Sequence, residues 1–241
     1  MAATDLTATD VKEVVKRSYN QIAPAYLSFT LSRSSPRLRY LDRLLRTLSP
    51  GSNVLELGCG AGVPVTQTLC QHENVGTVIA NDISERQIEL ARERCLQWSD
   101  KLEFISGDMM ALDFEEGQFH GIAAFYSIFH LPGAEQPEMI RKIHQWLKPG
   151  GILVCNFGAK ETSDDENVKQ WNYFQADMFW SGLGVGATKK MISQAGFDLL
   201  VAEVRNSNED LDPGKESHAS DPDRDVEFLW IVARKFSEQT I

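Results

Sequence analysis

The sequence predicts an α/β fold built on a mostly parallel sheet. Three observations carry that expectation. From residue 53 onward, short apolar runs alternate with helix-length amphipathic segments, as crossovers between parallel strands require. The first run, "NVLELGCGAG", ends in three alternating glycines, a place where backbone must approach something closely. The last two apolar runs have no helical pattern between them, so they are expected to pair antiparallel at one end.

The elements follow in order. Val11, Val14, Val15, Tyr19, Ile22 and Tyr26 recur at helical spacing, and Pro24 is expected to kink or end that helix. A second helix runs through "SPRLRYLDRLLRTLSPG", with Leu38, Leu41, Leu44, Leu45 and Leu48 along one face and Pro50-Gly51 as its stop. "NVLELG", "VGTVIAND", "LEFISGD", "FHGIAAFYS" and "PGGILVCNFG" read as five strands. Helices lie in "VPVTQTLCQH", in "SERQIELARERCLQW" with Ser84 as its N-cap, and in "AEQPEMIRKIHQWL". A polar and then strongly aromatic region precedes a short helix, "TKKMISQAG", and the strands "FDLLVAEVR" and "VEFLWIVARKF". No internal repeat is evident. The expectation is one domain over residues 1–241, with 1–50 as an N-terminal helical cap and 51–235 as the core.

Composition narrows the function. The net charge of −10 argues against a nucleic-acid backbone as partner. Half of it comes from residues 206–225, seven acids and two bases, which read as a solvated loop within the core. Cys59, Cys70, Cys95 and Cys155 show neither paired nor zinc-binding spacing, so free thiols and no metal are expected. There is no apolar leader and no apolar stretch long enough to span a bilayer. A cytoplasmic chain with no membrane partner is the expectation; the sequence is silent on oligomeric state.

The glycine turn lies where open parallel sheets bind ligands, beyond the carboxyl ends of the strands. A dinucleotide fingerprint reads GxGxxG; here the spacing is GxGxG, with Glu56 two residues before Gly58. A carboxylate at that point would repel a pyrophosphate and favour an ammonium or polar hydroxyl groups. Asp82 ends the second strand, 22 residues after Gly60, where a carboxylate can accept both hydroxyls of a ribose. Asp108 ends the third strand and is followed by Met109 and Met110, an acceptor for an exocyclic amine beside adaptable apolar side chains. Each acid alone could be a cap. Three at successive strand ends describe an ammonium, a ribose and an adenine without phosphate, which S-adenosylmethionine fits.

"VLELGCGAG" at 54–62, Asp82 in "ANDIS", "SGDM" at 106–109 and "LKPGGILV" at 147–154 resemble the motif series of class I S-adenosylmethionine-dependent methyltransferases of the small-molecule type. "YNQIAPAY" at 19–26 resembles the segment preceding their core, with Asn20 where aspartate is usual, and "FYSIFHLP" at 125–132 resembles their segment after strand four. The resemblance implies a doubly wound, seven-stranded sheet with the last strand antiparallel. It places the cofactor's methionine end against Gly58, Cys59 and Gly60 with Glu56 nearby, the ribose on Asp82, and the adenine by Ile83, Asp108 and Met109. Phe125 and Tyr126 would complete the site, and Tyr19 would close over it.

Methyl transfer needs alignment and a dry site, and a base only if the acceptor keeps its proton. His130, just past the fourth strand, is the candidate base; the competing reading is a histidine that binds a loop carbonyl. His72, His120 and His144 lack evident partners, and His218 lies in the acidic loop. "WNYFQADMFWSGLGVG" (171–186) suggests an aromatic lid and acceptor pocket. Phe174, Met178 and Trp180, with Tyr26, Phe29 and Phe129 opposite, are its expected lining, although core packing competes for about half of the aromatics. Gly182 stands where related sequences often have histidine, a change expected to enlarge the pocket. Arg33, Arg37 and Arg39 read as a solvated face or as an attractor for anions. The function expected is methylation of a small, apolar or aromatic acceptor. An NAD(P)-dependent oxidoreductase and a non-catalytic S-adenosylmethionine-binding regulator remain open at this point, as does a rearrangement or cyclisation on the same scaffold.

Overall fold

A computed structural model describes residues 7–32, 36–162, 168–206 and 226–236; the acidic tract after Asn206 and Arg33 lie outside them. Helices α1 (Ala8–Ser32) and α2 (Pro36–Leu45) come first. The alternating part follows as β1 (Ser52–Leu57), α3 (Val65–Gln71), β2 (Val75–Asp82), α4 (Glu85–Arg94), β3 (Leu102–Ser106), β4 (Phe119–Ala124), α5 (Gln136–Trp146) and β5 (Leu147–Gly158). The chain closes with β6 (Val168–Trp171), β7 (Ala176–Phe179), α6 (Gly184–Gln194), β8 (Phe197–Asn206) and β9 (Glu227–Lys235).

Seven strands form one sheet in the order β3-β2-β1-β4-β5-β9-β8. β1 to β5 pair parallel, and β9 is inserted antiparallel to both β5 and β8. The side-chain period of two divides each inner strand between two cores. Leu55, Ile122, Leu153 and Ile231 meet α5 and α6 on one face. Val54, Ala123, Val154 and Trp230 meet α2 and α3 on the other. Strand order reverses beside β1, where β2 lies on one side and β4 on the other, which opens a crevice at the strand ends.

α1 continues through Pro24 rather than ending there. Its buried stripe of Val11, Val15 and Ile22 packs on Ala176, Met178 and Phe179, and the Ser18 hydroxyl donates to the Asp177 carbonyl. This packing outweighs the backbone hydrogen bond that proline removes. Leu38, expected on the buried face of α2, is 40% exposed; Tyr40 takes the inward place and stacks on Trp230 with ring centroids 4.5 Å apart. The β6–β7 hairpin was not anticipated, because its two strands are four residues each and lie within a run of aromatics that hides their alternation.

Candidate active site

All three glycines of the turn have positive φ, +77° at Gly58, +55° at Gly60 and +78° at Gly62. Their neighbours differ. A β-carbon on Gly58 would lie 2.4 Å from that of Ser127, and one on Gly62 would lie 3.0 Å from the Cys95 sulfur. Those two glycines let protein approach protein. Only Gly60 is open, and its N–H donates to Asp82 Oδ2 at 2.8 Å.

A cleft of about 930 Å³, open solvent included, lies over this turn. Tyr19, Glu56, Gly58, Cys59, Gly60, Asp82, Ile83, Asp108, Met109, Phe125 and Tyr126 all line it. Asp82 is buried, accepts also from the Ser84 N–H at 2.9 Å, and so ties the glycine turn to the start of α4. Burial pushes its carboxyl up to about 6, against the two N–H groups that lower it. Glu56 is buried as well. It accepts from the Thr66 hydroxyl at 2.6 Å, yet burial raises it to about 7. Asp108 departs from the simple expectation of a free acceptor. Its Oδ1 takes the Met110 N–H at 2.9 Å and its Oδ2 takes Lys12 Nζ at 2.8 Å. Lys12 also meets Glu135 at 2.7 Å; burial disfavours its charge, but the two carboxylates raise its pKa overall.

Among the lining residues that sequence reasoning did not place at the site are Lys12, Arg37, Gln87 and Ser127. Arg37 is not part of a solvated face. Its guanidinium lies 4.6 Å from the Tyr126 ring centroid, and its buried Nε has no partner among the described residues. The same is true of Ser127 Oγ and of both carboxamide atoms of Gln87. Buried polar groups are ordinarily paired, so this wall is shaped for a polar ligand. An amino-acid end with ammonium and carboxylate suits Glu56 and Arg37, and a ribose suits Asp82. The residues present therefore fit S-adenosylmethionine.

A second cavity, about 1140 Å³ including open space, adjoins the first. Both are lined by Tyr19, Tyr26, Tyr126 and His130. Of the expected pocket residues, Tyr26, Phe129 and Trp180 line it, joined by Trp171 and Phe228. Phe29, Phe174 and Met178 do not. Met178 is 0% exposed in the core beneath the hairpin, whose pairing turns it toward α1. Phe29 and Phe174 pack around Tyr26, at centroid distances of 6.1 and 5.8 Å, and support the wall from behind. Gly182 lines the cavity, but its role is not to enlarge it: an added β-carbon would lie 2.3 Å from the Lys160 carbonyl oxygen.

His130 is buried at the junction. Its Nδ1 lies 2.7 Å from the Phe179 carbonyl, which can only accept, so Nδ1 carries the proton. Nε2 therefore holds a lone pair and accepts from the Tyr19 hydroxyl at 3.0 Å. Burial lowers the pKa of this ring to about 4, which keeps it neutral. The other histidines do have partners. His72 and His120 accept from the N–H groups of Asn74 and Asn53 through Nδ1, and His144 bonds to backbone at Gly196. His218 lies outside the described residues.

Fold, sheet order and cleft define a class I S-adenosylmethionine-dependent methyltransferase scaffold. Residues 54–151 match the family described as "Methyltransferase domain". It is 28% identical over 170 residues to the sterol 24-C-methyltransferase of Saccharomyces cerevisiae, covering 68% of this chain and 43% of the relative. It is 29% identical over 174 residues to phosphoethanolamine N-methyltransferase 1 of Triticum aestivum, covering 69% and 32%. The demethylmenaquinone methyltransferase of Lactococcus lactis subsp. lactis shares 35% over 109 residues, 44% of this chain and 41% of that one. The chain thus spans less than half the length of these curated relatives. Among solved structures, the Burkholderia thailandensis 1,6-didemethyltoxoflavin-N1-methyltransferase, bound to its substrate and S-adenosylhomocysteine, superposes with a TM-score of 0.68 at 16% identity over 98% of this chain and 94% of its own. The cyclase SpnF does so with 0.66 at 19% over 98% and 100%. Likeness at such identity speaks for the fold alone. Among the described residues, no helix is long and apolar enough to cross a membrane.

Proposed function

We propose that this chain transfers a methyl group from S-adenosylmethionine to a small, apolar or aromatic acceptor held in the second cavity. The observation that carries the reading is the junction: the polar cleft and the aromatic cavity meet at Tyr19, Tyr26, Tyr126 and His130. When bound, S-adenosylmethionine supplies a methyl group already activated by its sulfonium. Glu56 and Arg37 hold the amino-acid end, Asp82 the ribose, and Ile83 with Met109 the adenine. Tyr126, Phe129, Trp171, Trp180 and Phe228 seat the acceptor's apolar body and exclude water. Where the acceptor carries a proton, the Tyr19 oxygen takes it while the Tyr19 proton passes to His130 Nε2; His130 thus acts through Tyr19. Among the described residues, the cavity's charged lining is Lys160 and Glu227, which favours an apolar body of the kind implied by the sterol and menaquinone relatives' names over a phosphorylated amine. Residues 1–50 act as a cap over a single core of 51–235, and the four buried, free cysteines favour a reducing, cytoplasmic setting.

Calorimetric titration with S-adenosylmethionine and S-adenosylhomocysteine tests the reading, with NADH as comparator. Micromolar binding that Asp82→Ala weakens, followed by methyl transfer in a screen of phenols, thiols and amines, is expected. Preference for NADH would move the chain to the oxidoreductases. Adenosyl binding with no transfer to any acceptor would favour a regulator.

A further inference from the structure

Gln87 is 1% exposed in the first turn of α4, and it lines the cofactor cleft. Its backbone N–H is satisfied by Ser84 Oγ at 3.1 Å. Its side chain is not: neither Oε1 nor Nε2 has a partner among the described residues. Burying an unpaired carboxamide is costly, and an apolar side chain of the same size would serve a packing role better. The group is aimed at a specific place. Oε1 lies 3.9 Å from where a β-carbon on Gly60 would stand, and the N–H of Gly60 is the one held by Asp82. Carboxamide and carboxylate therefore converge on one glycine from two elements.

Their chemistries are complementary. Each oxygen of Asp82 already takes one backbone N–H, from Gly60 and from Ser84. An ionised carboxylate can accept from a hydroxyl but cannot donate to one. A pair of neighbouring hydroxyls has two protons to give and lone pairs to fill, so a carboxylate alone satisfies half of it. Gln87 supplies the missing half, a donor at Nε2 and a further acceptor at Oε1.

We propose that Gln87 is a cofactor-positioning residue that binds the ribose hydroxyls of the adenosyl ligand together with Asp82. This rests on the reading of the cleft as an adenosyl site. The orphaned amide is a cost carried by the free protein and recovered on binding, so its removal has opposite effects on the two states. Gln87→Leu is expected to weaken S-adenosylhomocysteine at least tenfold by calorimetry while the free protein melts at the same or a higher temperature. Gln87→Met, unbranched and closer in shape, is the second variant should leucine disturb packing. Titration of the 2′-deoxy and 3′-deoxy forms of S-adenosylhomocysteine locates the contact: the affinity lost with one hydroxyl in the wild type is expected to shrink in the variants. Binding by both variants within twofold of wild type would overturn the inference and leave the cleft's assignment standing. Weaker binding with a free protein that melts several degrees lower would make Gln87 structural, and undiminished deoxy penalties would remove it from the ribose; either overturns the inference. Failure of the wild type to bind S-adenosylhomocysteine at all would sink the reading of the cleft itself.

Discussion

Glu56 and Tyr19 show how far single residues reach. The unfolded value of a glutamate is near 4.5, and burial raises Glu56 to about 7. The folded protein therefore binds this proton more tightly than the unfolded chain. Its stabilising contribution is complete below about pH 4.5 and is lost as pH rises through 7, a swing of up to about 3 kcal/mol at a fully buried site. Glu56→Gln is expected to flatten the ligand-free stability profile across that window, with melting several degrees above wild type at pH 8 and little difference at pH 4.5. The same substitution should weaken S-adenosylhomocysteine most at pH 8, where wild-type Glu56 is ionised to meet the ammonium. Melting curves across pH, with and without ligand, check both. For Tyr19, truncation to Tyr19→Phe removes the hydroxyl bound to His130 and leaves the ring. If the proton passes through it, turnover of a phenol acceptor falls about 100-fold while S-adenosylhomocysteine affinity stays within threefold. Equal losses in both would make Tyr19 a binding group only.

At the scale of elements, α1 is joined to α4 by Asn20. Its Oδ1 accepts from Ser84 Oγ at 2.6 Å and from the Arg86 N–H at 3.1 Å, and its Nδ2 donates to Glu85 Oε2 at 3.1 Å. Hydrogen bonds from Lys16 and Asn20 lower Glu85 to about 2. The amide explains the departure from the aspartate usual at this point. A carboxylate could still accept from Ser84 and Arg86, but it would face Glu85 with a like charge and no donor. Asn20→Asp is expected to lower the melting temperature by about 2–4 °C at pH 7. Adding Glu85→Gln, which restores a donor, should recover most of it; no recovery in the double variant would refute the account. A second element-scale device is the strap over the acceptor cavity. Thr162 N–H donates to the Gly182 carbonyl at 2.8 Å and Gly182 N–H to Thr162 Oγ1 at 2.7 Å, a close approach that leaves no room for a side chain.

For the whole molecule, the site is assembled from distant parts of the chain. Lys12 on α1 reaches Asp108 after β3 and Glu135 before α5, and the second cavity draws on α1, the β5 end, β6 and β9. Binding in the cleft is thus expected to stabilise the molecule as a unit. At a hundredfold excess over Kd, S-adenosylhomocysteine should add about 2.7 kcal/mol, which raises the melting temperature of a 241-residue chain by about 5–10 °C. Hydrogen exchange should slow in α1 and α4 as well as in the glycine turn. Protection confined to the turn would show that residues 1–50 do not cap the site.

The sequence by itself determined the alternation of strand and helix, the antiparallel end of the sheet, and the set of acids and glycines around one cleft. Those signals are local: periodicity, strand-end acids and turn glycines are each written within a few residues. It did not determine which glycine serves a ligand, because Ser127 and Cys95 approach Gly58 and Gly62 from other elements. Nor did it show that Met178 faces the core or that Trp171 and Phe228 face the cavity. Large apolar side chains fall on both faces of these segments, and only the pairing of β6 with β7 and of β9 with β5 decides which way each points. The orphaned atoms of Arg37 and Gln87 were equally invisible, since a missing partner is a property of the packed interior. Tertiary structure alone decided them, because burial and pairing depend on what the rest of the chain brings within reach.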